Sequence, residues 1–207
     1  MKDIVIVGSG GFAKEVKFLL KEINRFSEKW NFIGYIDKSS RDNEEVIGDD
    51  NYVLNSEKEL HLAFGIGDPI LIAKLSKVFA QSEKVKFPNL IHPNVIGDWQ
   101  NIEMGMGNII CASNTLTTDI TIGNFNILNL ACTVGHDARI GSWNVINPTV
   151  NISGGVEIGN GCLIGTGAQI LQNLEISDKV LLGAGSVLTK STYGSGTYFG
   201  IPAKKIK

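Results

Sequence analysis

The strongest constraint on this chain is a six-residue period that runs unbroken from Met104 to Leu188. Every sixth residue is large and apolar: Met104, Ile110, Leu116, Ile122, Leu128, Val134 and Ile140, then on through Ile176 to Leu188. A second column lies two residues earlier and includes Ile102, Asn108, Ile120, Asn126, Cys132 and Ala138. Side chains alternate along a strand, so positions i−2 and i share a face. Neither a helical period nor plain alternation reproduces a spacing of six. A short strict repeat marks a stacked architecture, and a repeat of six marks a parallel β-helix. Three repeats to a coil place residues eighteen apart on top of each other. Ile120, Ala138, Val156 and Leu174 then stack on one side, and Asn108, Asn126 and Asn144 form a ladder on another. Glycine often follows the apolar position, as at Gly105, Gly123, Gly135, Gly141 and Gly165. These glycines are expected to turn the corners with positive φ, which costs them no Cβ clash.

The rest of the chain is bounded by simpler facts. Its 207 residues allow one large or two small domains. A net charge of −2 leaves no basic footprint for nucleic acid. No apolar run is long enough to span a membrane, and Met1-Lys2-Asp3-Ile4-Val5 opens no signal-peptide core, so a cytoplasmic protein is expected. Cys132 and Cys162 occupy inward positions of the repeat and read as small core residues. Three histidines without clustered Cys/His spacing predict no metal site.

Ahead of the repeats, residues 3–7 read as a β-branched strand, followed by Gly8-Ser9-Gly10-Gly11 and a helical pattern from Phe12 to Ile23. Strand, glycine-rich turn and helix open a nucleotide-binding βαβ unit, because free N–H groups and the dipole at the helix start favour a pyrophosphate. Ala13 stands where the full dinucleotide fingerprint has a third glycine. Trp30 to Ile36 reads as a second strand ending at Asp37. That acid either accepts hydrogen bonds from a ribose or base, or caps a turn with Ser39. Residues 38–50 read as a polar loop with a brief strand or turn at Val46-Ile47-Gly48-Asp49, and Ser56 reads as the cap of a short helix. His61 to Ile66 is a third strand, ending in Gly67-Asp68-Pro69, with Asp68 as N-cap of a helix to about Gln81. The turns at Gly8, Asp37 and Gly67 gather at one sheet edge, where open α/β folds bind ligands. The expected organisation is α/β plus β: residues 1–86 as a small Rossmann-like nucleotide-sugar-binding domain, and residues 87–207 as a parallel β-helix.

The repeats resemble the left-handed β-helix, hexapeptide-repeat acyltransferases, and handedness is implied by that resemblance alone. With the βαβ unit in front, the whole chain resembles the sialic acid O-acetyltransferase and nucleotide-amino-sugar N-acetyltransferase family. The marks are Val5-Ile6-Val7-Gly8-Ser9-Gly10-Gly11, Gly34-Tyr35-Ile36-Asp37, Gly65-Ile66-Gly67-Asp68, Val134-Gly135-His136-Asp137 and Gly200-Ile201-Pro202-Ala203-Lys204. The resemblance implies a homotrimer that uses acetyl-CoA, with His136 as general base and Asp137 as its orienting neighbour. His136 lies two residues after inward Val134, so it faces out at a corner. Histidine as a residue type titrates near working pH. Gly154, one coil above His136, is implied as the oxyanion donor. Asn129 matches a sugar-contacting position, and Thr166, Ala184, Pro202 and Lys204 match positions along the coenzyme. Some relatives carry a second histidine where this chain has Val145. The expected reaction is acetyl transfer from acetyl-CoA to a 4-amino group on a UDP-, GDP- or dTDP-linked sugar. The nucleotide half would be held by Gly8, Ser9, Gly10, Gly11, Asp37, Gly67 and Asp68. Two rivals stand beside it: a sialic acid or related sugar O-acetyltransferase, and a non-catalytic β-helix binding protein.

Overall fold

A computed structural model of the chain describes residues 1–38 and 44–207. Ser39 and most of the first half of the expected 38–50 loop therefore lie outside the described residues. The N-terminal sheet is parallel, in the order β3-β2-β1-β4-β5. Its strands are β1 (Lys2–Val7), β2 (Trp30–Ile36), β3 (Val46–Gly48), β4 (Leu60–Phe64) and β5 (Val85–Lys86). Helices α1 (Gly11–Phe26), α2 (Asp50–Leu54) and α3 (Pro69–Phe79) complete the unit. β1 sits between β2 and β4 in parallel register, so its carboxyl end delivers the Gly8 turn between Asp37 and Gly65. The helix expected at Ser56 is not there. It lies earlier, as α2, because the Asp49 carboxylate accepts the Asn51 N–H at 2.9 Å and caps it. Ser56 instead closes a local turn with Lys58.

Beyond β5 the chain winds as a parallel β-helix of left-handed coils with three faces. Face I contains Leu90–Ile91, Ile109–Ile110, Ile127–Leu128, Val145–Ile146, Leu163–Ile164 and Val180–Leu182. It ends in an antiparallel hairpin, Gly196–Gly200 with Ala203–Lys205. Face II contains Ile96–Gly97, Thr115–Leu116, Thr133–Val134, Asn151–Ile152, Gln169–Ile170 and Val187–Leu188. Face III runs from Ile102–Met104 through Ile120–Ile122, Arg139–Ile140 and Glu157–Ile158 to Glu175–Ile176. Thr115, Thr133, Asn151 and Gln169 pair successively, a register of eighteen throughout. Both columns of the hexad are buried: Cys132, Ala138, Val150, Val156, Cys162 and Ala168 are fully inside with the aliphatic column.

The expected role of the glycines is overturned. Gly105, Gly123, Gly135, Gly141 and Gly165 do not carry positive φ. The left-handed residue is the one three places after the aliphatic position. It is usually not glycine: Phe125 (57°), Ala131 (57°), Asp137 (59°), Trp143 (59°) and Lys179 (57°) all adopt it. Glycine is needed at the earlier position because the next coil passes too close for a Cβ. A Cβ on Gly135 would lie 2.5 Å from the Gly154 nitrogen, and one on Gly141 would lie 2.6 Å from the Gly159 oxygen.

The asparagine ladder is buried and hydrogen-bonded at each step. The Asn126 Oδ1 accepts from the Asn144 N–H (2.9 Å) and the Asn144 side-chain amide (3.0 Å). Its Nδ2 donates to the Gly141 carbonyl at 2.9 Å and to Asn108 Oδ1 at 3.1 Å. Asn89 extends the ladder at one end, and the Cys162 N–H closes it at the other, 2.7 Å from Asn144 Oδ1.

The two units share a core. The outward residues of face I, Ile109, Ile127 and Val145, are buried under the N-terminal unit. Phe64, Phe87 and Phe125 interlock, with ring centroids 5.0–6.1 Å apart. Trp143 Nε1 donates to the Ser76 hydroxyl of α3 at 3.0 Å. Such a contact holds the sheet edge that carries the glycine-rich turn in a fixed place against the coils.

Replacing Asn126 by Ala strands a buried N–H and a buried carbonyl. We expect a loss of about 3 kcal/mol or more, a fall of roughly 6–12 °C in thermal midpoint, measured by scanning calorimetry. An unchanged midpoint would remove the ladder from the forces holding the coils.

Candidate active site

Three corners separate the faces, and the chemistry-bearing residues divide between two of them. His136, Asp137 and Gly154 occupy the corner between faces II and III. Asn129, Thr166 and Ala184 occupy the corner between faces I and II. Within one chain they therefore lie on neighbouring edges of the prism rather than in one cleft.

His136 is 68% exposed, so packing does not hold its ring. Asp137 does: its Oδ2 lies 2.7 Å from the imidazole Nδ1. A proton on Nδ1 serves that contact and leaves the Nε2 lone pair free toward solvent. The left-handed backbone of Asp137 turns its carboxylate back alongside the residue before it. The ring lies over Gly154. A Cβ there would sit 2.6 Å from both Cε1 and Nε2 of His136. Gly155 anchors the corner by donating its N–H to the His136 carbonyl at 2.8 Å. The Gly154 N–H donates to no protein group among the described residues. An imidazole held by a carboxylate and a backbone N–H without a protein acceptor among the described residues thus sit side by side, an arrangement able to take a proton and to hold an oxyanion.

At the other edge, Thr166 and Ala184 are exposed and stacked, linked by the Gly185 N–H donating to the Thr166 carbonyl at 2.8 Å. Asn129 is half-buried, and its Oδ1 accepts the Leu130 N–H at 2.7 Å. Pro202 and Lys204 are exposed on the closing hairpin at the end of face I.

The N-terminal unit carries a cavity of about 690 Å³ at the carboxyl ends of β1, β2 and β4, lined by Gly8, Ser9, Gly10, Asp37, Lys38, Lys74 and their neighbours. Asp37 is tied to the glycine-rich turn, accepting from both the N–H (3.0 Å) and the hydroxyl (2.7 Å) of Ser9. Gly8 takes φ +96°, and a Cβ there would be 3.0 Å from the Gly65 oxygen. Gly10 and Gly11 have open space where a Cβ would go, so the room beside them is left for something else. The α1 N-terminus has no side-chain cap and no acid in its first turn, which leaves N–H groups for an anion. Gly65 also explains Ala13: a Cβ on residue 65 would fall 2.6 Å from both Cα and Cβ of Ala13. The close helix–strand approach is made possible from the strand side.

Two residues expected to hold the nucleotide half, Gly67 and Asp68, do not line this cavity. The Asp68 carboxylate caps α3, accepting the N–H groups of Ile70 (2.8 Å) and Leu71 (3.3 Å). Gly67 lines a separate cavity of about 130 Å³ between α1 and face I, with Phe12, Glu15, Asn129, Val145 and Asn147. Sequence reasoning did not single out Lys74, Glu15 or Asn147. The eighteen-residue step from Asn129 to Asn147 was the available signal for the last. Lys38 is paired with Asp50 at 2.5 Å, which raises its ammonium pKa through that hydrogen bond and charge. Lys74 has no acidic partner among the described residues. Burial pushes the Cys111 thiol up to about 12, and the Glu15 charge adds to the rise. Among the described residues no helix is long and apolar enough to cross a membrane, and no cluster of three or more His, Cys, Asp or Glu side chains is placed to hold a metal.

Residues 3–78 match the family model described as the PglD N-terminal domain. No curated protein sequence matches significantly. Solved structures match over nearly the whole length. A perosamine N-acetyltransferase from Caulobacter crescentus was solved as a histidine variant with CoA and GDP-perosamine. It is 27% identical, with a TM-score of 0.91 over 100% of this chain and 98% of its own. WeeI from Acinetobacter baumannii is 27% identical, with a TM-score of 0.87 over 100% of both chains. The acetyltransferase domain of PglB from Neisseria gonorrhoeae, solved with acetyl coenzyme A, is 25% identical, with a TM-score of 0.89 over 99% of both chains.

Gly154→Ala tests the corner itself. Its backbone is not left-handed, so alanine fits locally and only the His136 ring must move. We expect an unchanged thermal midpoint, a changed imidazole resonance in NMR, and about 100-fold slower proton transfer through the displaced ring. Full activity in this variant would show that the ring does not work over Gly154.

Proposed function

We infer that this chain, a hexapeptide-repeat sugar acetyltransferase, moves the acetyl group of acetyl-CoA onto the amino group of a nucleotide-linked amino-sugar. The observation that carries the reading is the pairing of the His136–Asp137 corner over Gly154 with a nucleotide-sized cleft on the same chain. Full-length likeness to an enzyme solved with CoA and GDP-perosamine supports the substrate class. Residues 1–86 would hold the nucleotide and residues 87–207 would carry acyl transfer.

In this mechanism the sugar nitrogen attacks the thioester carbonyl carbon. A C–N bond forms, and the carbonyl oxygen takes the negative charge beside the Gly154 N–H. His136 Nε2 accepts the proton leaving nitrogen, and Asp137 steadies the resulting imidazolium. Collapse breaks the C–S bond, and the proton on His136 goes to the departing sulfur. Products are the acetamido-sugar and CoA. Thr166, Ala184, Pro202 and Lys204 would line the coenzyme, and a GDP, UDP or dTDP moiety would occupy the cleft by Gly8–Gly11 and Asp37. The enzyme is proposed to work in the cytoplasm, in bacterial glycan synthesis.

His136→Ala should lower kcat by roughly 10²–10⁴-fold with the fold intact, since an exposed ring holds no core. His136→Asn should be nearly as slow, and Asp137→Asn should lose less. The wild-type kcat/KM should fall on the acid side as the base is protonated, and this limb should be missing from His136→Ala. A folded His136→Ala enzyme with near wild-type kcat on a nucleotide amino-sugar would defeat the assignment.

The split of residues between two edges supports a homotrimer. An edge bearing Asn129, Thr166 and Ala184 can only meet an edge bearing His136 and Gly154 from another copy. A closed ring satisfies every copy equally. Light scattering should read three chains. Subunits with His136→Ala and subunits with Thr166→Trp, each inactive alone, should regain roughly a quarter of the sites when mixed into one ring. An active monomer, or mixtures with no recovery, would refute the shared site.

A further inference from the structure

The two cavities of the N-terminal unit have continuous walls and opposite chemistry. The larger is bounded by Gly10 on one loop and Gly65-Ile66 on the other. The smaller begins one or two residues further along the same loops, at Phe12 and Gly67. Gly10, Gly11 and Gly67, which lie between the two linings, have nothing within 4 Å of where a Cβ would sit, so no side chain is placed there to wall one cavity off from the other. The larger cavity has lysines, Lys38 and Lys74, and the uncapped start of α1. The smaller has no cation. Its polar groups are the Glu15 carboxylate and the side chains of Asn129 and Asn147, set against Phe12 and Val145.

Charge decides which end of an elongated ligand lies where. A pyrophosphate belongs by the α1 N-terminus and Lys74, and is repelled by Glu15. A ring of hydroxyl groups suits the smaller cavity, because an ionised carboxylate is acceptor-only and binds O–H donors through strong charge-assisted bonds. Glu15 has no hydrogen-bond or ion-pair partner among the described residues. Glu15 lines the smaller cavity opposite Ile127, Asn129, Val145 and Asn147, so it borders the coils. Asn129 Oδ1 is engaged with the Leu130 N–H, leaving its amide N–H groups as donors to the ring.

We propose that Glu15 is a substrate-binding residue that accepts hydrogen bonds from the hexose hydroxyls of the nucleotide amino-sugar, with the sugar seated between α1 and face I. The proposal rests on the nucleotide amino-sugar reading above. Glu15 selects the sugar, while the glycine-rich turn and Asp37 select the nucleotide. Val145, where some relatives have histidine, supplies an apolar wall, so the acceptor carries a hydrophobic edge there and is oriented by Glu15 on its polar side.

The experiment begins by assaying wild-type enzyme with acetyl-CoA and UDP-, GDP- and dTDP-linked 4-amino-sugars. Acetylation of none of them defeats the functional reading and this inference together. With the sugar that is acetylated, Glu15→Ala should raise its KM by about ten- to a hundredfold. The Kd of the matching free nucleoside diphosphate, the KM of acetyl-CoA and the thermal midpoint should stay at wild-type values. Glu15→Gln, which keeps one acceptor oxygen, should fall between, and it also provides the test should the alanine variant fail to fold. An unchanged KM for the sugar in both variants overturns the proposal, as does an equal loss of affinity for the bare nucleotide.

Discussion

The eighteen-residue register between coils is the constraint on which the candidate site depends. Parallel pairing of Thr133 with Asn151, and of Arg139 with Glu157, fixes the corner between them one coil below its successor. His136 is thereby set under Gly154 with no freedom along the axis. A one-residue slip would send every inward side chain out. The His136 ring is mostly exposed and rests on the Gly154 backbone, so the precision comes from the coil stack and from Asp137 rather than from a surrounding core. A site built this way tolerates exposure, because the elements that position it are buried two residues away at Val134 and Ile152.

The geometry of the corner follows from a division of labour between two positions. The residue after the aliphatic position must lack a Cβ wherever the next coil presses on it, as Gly135 is pressed by the Gly154 nitrogen. The residue three places after it must turn left-handed, and side chains there accept a cost of about 1–2 kcal/mol each. Hydrogen bonds across coils make this affordable: the Asp137 N–H donates to the Thr118 carbonyl (3.2 Å) and the Gly155 N–H to the His136 carbonyl (2.8 Å). Asp137 therefore serves two ends, turning the chain and holding the imidazole.

Much of this was legible in the sequence. The period of six disclosed the coils, the inward columns, the asparagine ladder and the outward histidine, because each depends on spacing alone. Three things were not. The glycine after the aliphatic position serves contact and not the conformation that its recurrence suggests, since a period reports where a small residue recurs and not which atom would strike it. The short helix capped by Asp49 was likewise misread. Asp49 and Ser56 are both cap residue types, and the helix is capped by Asp49, directly after β3 ends at Gly48. Asp68 is a cap, as its place before Pro69 predicts, and one of its carboxylate oxygens is engaged in that role. The cavity beside Glu15 was hidden for a related reason: it is formed by residues more than a hundred positions apart, Phe12 and Glu15 against Asn129 and Asn147.

A signal that bears on that cavity was nonetheless present, in the outward position of the strands rather than the inward ones. Read every eighteen residues, face I presents Ile109, Ile127, Val145 and Leu163, face II presents Thr115, Thr133, Asn151 and Gln169, and face III presents Glu103, Thr121, Arg139, Glu157 and Glu175. An isolated β-helix has no reason to expose an aliphatic stripe on one face only. That stripe is what the N-terminal unit covers, down to the interlocked rings of Phe64, Phe87 and Phe125. Docking on face I brings the glycine-rich turn to the edge between faces I and II. Polar face II then separates that edge from the one bearing His136. The glycine-rich turn and the His136 corner are thus set on neighbouring edges by the hydrophobicity of a single outward column, and their separation within one chain is a consequence of which face was made apolar.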